Sequence, residues 1–341
     1  MADSQDLGDF FRNKKILVTG GTGSFGNQIV SRLIKLKPEV IIIFSRDEDK
    51  QYWLQKKFEE YKNLLKFVIG DVRDYDRLSE TMKGVDVVYH AAALKHVPSN
   101  ELHPMEAVKT NILGAENVRR AAIENKVGAV IDVTTDKAAK PVSVMGMTKA
   151  IQERIFLAPT NITGNETRFI CVRYGNVIGS RGSVIPFFKQ RIKEGKSLPV
   201  TSKKMTRFLL RLEEAVDLVF YATLEKRSGL LIVRKMPACY IKDLAEVMAE
   251  ELTGRTDYPI EEVGIRPGEK INEILVSEEE MRRAEERKDH YVIHAFTESE
   301  KPSGGDVEKI EYDSNSTRIL NKKEIAELLR KDGWLEPITS I

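Results

Sequence analysis

Three stretches hold side chains whose type and spacing could do chemistry. Thr135-Asp136-Lys137 places a hydroxyl, a carboxyl and an amine in a row at the end of an apolar run, with Met145 and Lys149 following. A second stretch, Thr19-Gly20-Gly21-Thr22-Gly23-Ser24-Phe25-Gly26, has glycines in TGxxGxxG spacing. In such a run Gly20 permits a tight turn and Gly23 lets backbone approach a pyrophosphate. Gly26 lets the next helix pack close, and that helix start offers amide donors and a favourable dipole to an anion. The third stretch is Phe44-Ser45-Arg46, where a site for NAD would carry an acidic residue for the ribose 2′-hydroxyl. A hydroxyl and a guanidinium suit a 2′-phosphate instead, so the expected cofactor is NADP, with Asp47 next in line as the opposing signal. Asp71-Val72 is placed to meet the adenine, and Ala91 to Ala93 offer small side chains where the dinucleotide passes near backbone.

These groups need a scaffold that brings strand ends together. Apolar, β-branched runs at Lys15–Thr19, Val40–Phe44, Lys66–Ile69, Asp86–His90, Ala129–Thr134 and Phe169–Arg173 alternate with stretches of helical spacing, such as Met105–Asn125. Strands separated by helices predict right-handed crossovers, hence an α/β fold of the Rossmann type: a doubly wound parallel sheet with a smaller C-terminal substrate-binding domain. Residues 1–173 should form the nucleotide-binding domain, with 209–236 returning to it through a helix at Glu213–Leu224 and a strand at Gly229–Val233. Residues 174–208 and 237–300 should form the second domain, including a helix over Tyr240–Thr253 and a charged, solvated helix over Glu278–Lys288. A linker at Glu300–Gly305 should lead to an extension over 301–341 that ends in a helix near Lys322–Lys331.

Composition narrows the class. The 341 residues are 41% hydrophobic and 31% charged, and 54 basic against 52 acidic side chains leave a net +2. That balance excludes a mainly disordered chain and gives no pull toward nucleic acid or an anionic bilayer. No apolar run approaches the roughly 20 residues that cross a membrane, and the N-terminal stretch lacks a signal-peptide core. Two cysteines make neither a disulfide framework nor a metal cluster. The histidines are too scattered for a metal site, so a cytoplasmic enzyme without a metal is expected.

As an ordered set, TGGTGSFG, FSRDE, GDVRD, AAALKHVP, KTNILGAENV, TTDKAAKP, RYGNVIGSRGSVIP, MTRF and GIRPGEK resemble the extended short-chain dehydrogenase/reductases. Within them the chain looks like the inverting UDP-N-acetylglucosamine 4,6-dehydratases of polysaccharide and capsule biosynthesis. The resemblance implies a lyase that oxidises C4, eliminates water across C5 and C6, returns hydride to C6 and inverts C5, with NADP tightly held and recycled. It implies Thr135, Asp136, Lys137 and Lys149 as catalytic residues. Met145 stands where the family has a tyrosine, as in one capsule-type branch, so Asp136, Lys137 or water must accept the C4 hydroxyl proton. Asp136 would serve as acid and Lys137 as base, the latter with its pKa lowered by burial or by a cation such as Lys149. For a UDP-sugar the implied contacts are Lys95, His96, Asn176, Arg181 and Ser183, with Arg207 and Arg266 on the diphosphate and Glu269 on the ribose. A homo-oligomer, hexamer or dimer, is also implied. A UDP-hexose 4-epimerase and a non-catalytic NADP-binding regulator are the competing readings.

Overall fold

The computed structural model describes residues 4–159, 166–295 and 310–337. Its main sheet uses the six predicted strands nearly as read: β1 (Lys15–Thr19), β2 (Val40–Ser45), β3 (Leu65–Ile69), β4 (Val87–His90), β5 (Ala129–Val133) and β6 (Arg168–Arg173). All six are parallel, in the order β3-β2-β1-β4-β5-β6. β1, β2 and β4 are almost wholly buried, as expected of strands covered on both faces. The chain reverses direction across the sheet between β1 and β4, and a crevice opens at such a switch point beyond the strand ends. The returning strand is Leu230–Arg234, parallel to β6.

Two corrections follow at the far edge. Glu278–Lys288 is not one solvated helix: only Glu278–Met281 is helical, and Ala284–Glu286 pairs antiparallel with His290–His294, which in turn joins Leu230–Arg234. The helix stops because Glu280 is buried against Arg173 while the next residues complete the sheet. The segment 284–294, assigned from sequence to the second domain, therefore sits in the first sheet. Met105–Asn125 is also interrupted. A wide turn at Val108–Leu113 separates Pro104–Ala107 from Gly114–Glu124. It turns Asn111 inward, where Oδ1 accepts from the Leu94 amide at 2.8 Å and Nδ2 donates to the Thr148 hydroxyl at 3.0 Å; such turns cluster at functional sites.

A second, smaller core gathers Phe188, Leu209, Leu244, Met248 and Leu329. The C-terminal helix Lys322–Lys331 belongs to it, so the extension packs on the second unit. The Glu300–Gly305 linker lies outside the described residues. Among the described residues no helix is long and apolar enough to cross a membrane.

Candidate active site

The glycine loop leaves β1 at the crevice. Gly20 has φ +66°, and a Cβ there would come within 2.8 Å of the Ala92 amide, so Gly20 lets the loops after β1 and β4 touch. The loop closes through Gly23 N–H donating to the Gly20 carbonyl at 2.9 Å. Helix Ser24–Leu36 has no side-chain capping bond at Gly23, leaving first-turn amides free for an anion. The Thr22 and Ser45 hydroxyls pair at 2.8 Å, and Phe25 faces Tyr174, whose carbonyl accepts the Asp136 amide. The glycine loop is thereby packed next to the end of β5.

Around the expected 2′-phosphate, Arg46 is 56% exposed at its side chain and lies 3.6 Å from Asp71. Asp47 is committed elsewhere: it caps helix Glu48–Lys57 through the Lys50 amide and pairs with the Lys50 ammonium. The Lys50 hydrogen bonds hold its carboxyl below the ordinary range. Asp71 is gripped by Arg73, and Val72 is buried beside Gly114. Ala91 and Ala93 are half-buried at the end of β4.

Arg181 reaches the glycine loop, its guanidinium donating to the Thr22 carbonyl at 2.7 Å and to the Ser24 hydroxyl at 3.4 Å. Burial and the Arg181 charge push Lys95 down from an ordinary lysine. His96 lies directly against Gly182, whose φ of +73° keeps that approach open. Lys95, His96, Arg181 and Ser183 thus converge at one end of the crevice. The Ser183 hydroxyl and Asn176 Oδ1 are buried atoms without a hydrogen-bond partner.

The end of β5, where Thr135, Asp136 and Lys137 were expected to act, is a compact polar cluster. Thr135 Oγ1 donates to Asp136 Oδ1 at 2.9 Å, and Lys137 Nζ donates to the same oxygen at 3.0 Å. Asp136 is fully buried, and the Lys137 side chain is 25% exposed. Gly146 makes this packing possible, since a Cβ there would strike the Lys137 carbonyl. Met145 is buried, and Lys149 Nζ donates to the Val133 carbonyl at 2.7 Å.

Lys137 departs from expectation. Burial works against its charge, but Asp136 and Glu273 outweigh burial and raise it above an ordinary lysine. The nearby cation that opposes them is Arg207, not Lys149. Arg207 itself is turned inward: its guanidinium donates to the carbonyls of Thr206, Lys270 and Ile271. It does not present its fork to a diphosphate, because backbone acceptors have taken it. Arg266 is exposed, and Glu269 accepts from the Thr201 hydroxyl and the Arg266 amide, both at 3.2 Å.

Three groups escaped the sequence reading. Glu273 is buried, with Oε1 3.2 Å from Lys137 Nζ. Asp132 is buried on β5, and burial lifts it to about 7 despite the Lys149 charge and the Gln152 amide. Arg173 is buried between Glu153 and Glu280. For Asp132 an acid inside an apolar run, Ile131-Asp132-Val133, was the available signal; Glu273 had none.

Comparison with known proteins agrees with this architecture. Residues 16–295 match the family described as polysaccharide biosynthesis protein. A UDP-glucose 4-epimerase of Rickettsia canadensis is 46% identical, over 94% of this chain and 96% of that one. A protein of Methanocaldococcus jannaschii named as an uncharacterized membrane protein is 42% identical, over 97% and 99%. The X-ray structure of Pen from Bacillus thuringiensis superposes with a TM-score of 0.89 at 38% identity, covering 96% of this chain and all of that one. More distant solved nucleotide-sugar dehydratases and epimerases, 20–22% identical, share the fold. This chain belongs to the polysaccharide biosynthesis protein family and has a Rossmann-type α/β fold shared with solved nucleotide-sugar dehydratases and epimerases.

Proposed function

We propose that this chain is an NADP-dependent UDP-N-acetylglucosamine 4,6-dehydratase, a lyase that also inverts C5. The observation that carries the reading is the contiguous Thr135-Asp136-Lys137 network around a buried Asp136, an acid and a base at the strand end where the crevice opens. A hexose 4-epimerase breaks no C5–H or C6–O bond and has no use for both.

The residues fit the cofactor. The Gly20, Gly23 and Gly26 loop with its free amides would hold the pyrophosphate, Arg181 would close over it, and Ser45 with Arg46 would hold the 2′-phosphate. Lys149 would hold the nicotinamide ribose. When bound, the nicotinamide supplies reversible hydride acceptance.

The chain's own residues handle the protons. A hydroxyl proton reaching Thr135 Oγ1 has a 2.9 Å path onto Asp136, a route that replaces the tyrosine absent at Met145. Asp136, once protonated, gives its proton to the departing C6 oxygen while Lys137 takes the proton from C5. The unpartnered Asn176 Oδ1 and Ser183 Oγ would receive sugar hydroxyls, and Lys95, His96, Arg266 and Glu269 would line the nucleotide-sugar path. A homo-oligomer is part of the reading. Leu102, Met105, Leu113, Met147 and Ile151 are exposed on adjoining helices, and sizing of the purified protein tests that surface.

The 4-epimerase reading keeps one specific support, the name of the Rickettsia relative. Incubation with UDP-N-acetylglucosamine and NADP separates the two. A product lighter by one water supports dehydration, and an isomer of unchanged mass supports epimerisation. Binding of NADP with every UDP-sugar untouched would leave the regulator reading.

A further inference from the structure

Elimination needs a protonated Asp136 and a neutral Lys137 at the same moment, and the pair at rest does not hold its protons that way. At rest Asp136 is a carboxylate and Lys137 an ammonium, 3.0 Å apart, so the pair holds one proton to share. Oxidation at C4 delivers a second, onto Asp136 by way of Thr135. Elimination then requires a protonated Asp136 and a neutral Lys137. With two protons present and one of them on Asp136, the other has to leave Lys137 before elimination, and the nearest acceptor decides where it goes.

Among the described residues, Glu273 is the carboxylate besides Asp136 that pairs with Lys137, at 3.2 Å. Given the dehydratase reading on which this rests, we infer that Glu273 is a positioning residue acting through Lys137: it takes the ammonium proton before elimination and gives it back as C5 is reprotonated.

The protons balance at each step. Lys137 passes one proton to Glu273 and becomes a free amine. The amine takes the C5 proton, the C5–C6 double bond forms, the C6–O bond breaks, and Asp136 protonates the departing oxygen, which leaves as water. Asp136 is then a carboxylate, Lys137 an ammonium and Glu273 an acid. Hydride returns to C6 from the reduced nicotinamide, Lys137 gives its proton to C5, and Glu273 restores the ammonium. The cluster ends as it began.

The surroundings suit a short-lived proton store. Glu273 is 2% exposed, and its Oε2 has no hydrogen-bond partner, leaving that oxygen able to carry a proton. Arg207 Nε and Lys270 Nζ each lie 3.8 Å from its carboxylate oxygens. The backbone of Glu273 is held at both ends by Ser314, whose amide donates to the Glu273 carbonyl at 2.8 Å and whose Oγ accepts the Glu273 amide at 2.9 Å. Ser314 is fully buried, so a residue far along the chain fixes where this carboxylate meets Lys137.

A purely structural role would have Glu273 only neutralise buried cations. Glu273→Gln keeps the shape and an acceptor oxygen but cannot store the proton. The test is a single turnover of the full chain with bound NADP and UDP-N-acetylglucosamine in deuterium oxide. It follows the spectrum of the reduced nicotinamide, deuterium entry at C5 and the mass of the sugar. Expected for Glu273→Gln is nicotinamide reduction within about threefold of the parent, with C5 exchange and water loss slower by about 100-fold or more. Glu273→Asp should recover exchange to within about tenfold of the parent. Parental exchange in Glu273→Gln, or an equal loss of reduction and exchange, overturns the inference. If Glu273→Gln does not fold, Glu273→Asp decides: exchange slowed more than reduction supports the role, and equal slowing overturns it. A parent chain that yields only an isomer of unchanged mass removes the dehydratase reading itself, an outcome distinct from either variant result.

Discussion

Arg173→Met should cost the fold much of the energy that ties the two halves of the site together. Arg173 is 1% exposed and donates to Glu153, to Glu280 and, at 2.8 Å, to the Leu275 carbonyl two residues beyond Glu273. Burial alone would lift Glu280, but the Arg173 charge and hydrogen bonds, with a smaller share from the Ser277 amide and hydroxyl, overcome burial and hold it at about 2. Against an ordinary 4.5, that difference is about 3 kcal/mol of stability. Breaking a buried pair by removing one partner costs about 3–5 kcal/mol, in the same range. For a chain of 341 residues the melting midpoint at neutral pH should fall by roughly 4–7 °C. A depressed acid contributes fully above its unfolded pKa and loses that contribution as pH falls toward its folded pKa. The gap between parent and variant should therefore shrink by about 2 kcal/mol between pH 6 and pH 3. Circular dichroism melts at the two pH values measure it. A gap of equal size at both, or a variant that melts with the parent, would refute the account of Arg173 as the partner that keeps Glu280 ionised.

Other expectations concern single side chains. Asp132 is raised to about 7, so its contribution is present below about 4 and is lost as pH rises through 7. Asp132→Asn should be more stable than the parent by up to about 4 kcal/mol at pH 8 and no better at pH 4; melts across that range decide. Arg46→Ala should weaken NADP about tenfold more than NAD in equilibrium titrations, and equal losses would end the 2′-phosphate assignment. Gly146→Ala places a methyl against the Lys137 carbonyl and should cost about 1–3 kcal/mol, with turnover falling further than NADP affinity.

How much of this was legible from the residues depends on where the partners lie. β1 and the helix Lys322–Lys331 have the boundaries read from their apolar spacing, because a local pattern fixes a local element. The glycine loop and Thr135-Asp136-Lys137 also carry their geometry in consecutive residues. Glu278–Lys288 misled because its charges resemble a solvated helix, whereas Glu280 answers to Arg173 on a distant strand. Arg207 misled in the opposite sense: a guanidinium in a motif was expected to face a phosphate, and the backbone of 270–271 claimed it. Glu273 reaches Lys137 on a segment held by Ser314, by pairing with Tyr312–Asp313 and by Thr206 and Arg207. No spacing within either segment announces that meeting.

The same buried cluster separates the two enzymatic readings without reference to product mass. Epimerisation at C4 moves a hydride and a hydroxyl proton and leaves every hydrogen on C5 in place. Dehydration across C5 and C6 must break the C5–H bond, and in the proposed reading Lys137 takes that proton onto an amine, one quarter exposed, whose other hydrogens came from solvent before the turnover began, and returns one of those. Product formed in deuterium oxide should accordingly carry one deuterium at C5. Lys137→Ala should abolish that label, slowing C5 exchange by about 100-fold or more while NADP affinity stays near that of the parent. Thr135 and Asp136 remain in that variant, so the C4 proton still has its route and reduction of the nicotinamide should persist. Full turnover with a labelled C5 in Lys137→Ala would take the base away from Lys137. Product with no deuterium at C5 in the parent would take the dehydratase away from this chain.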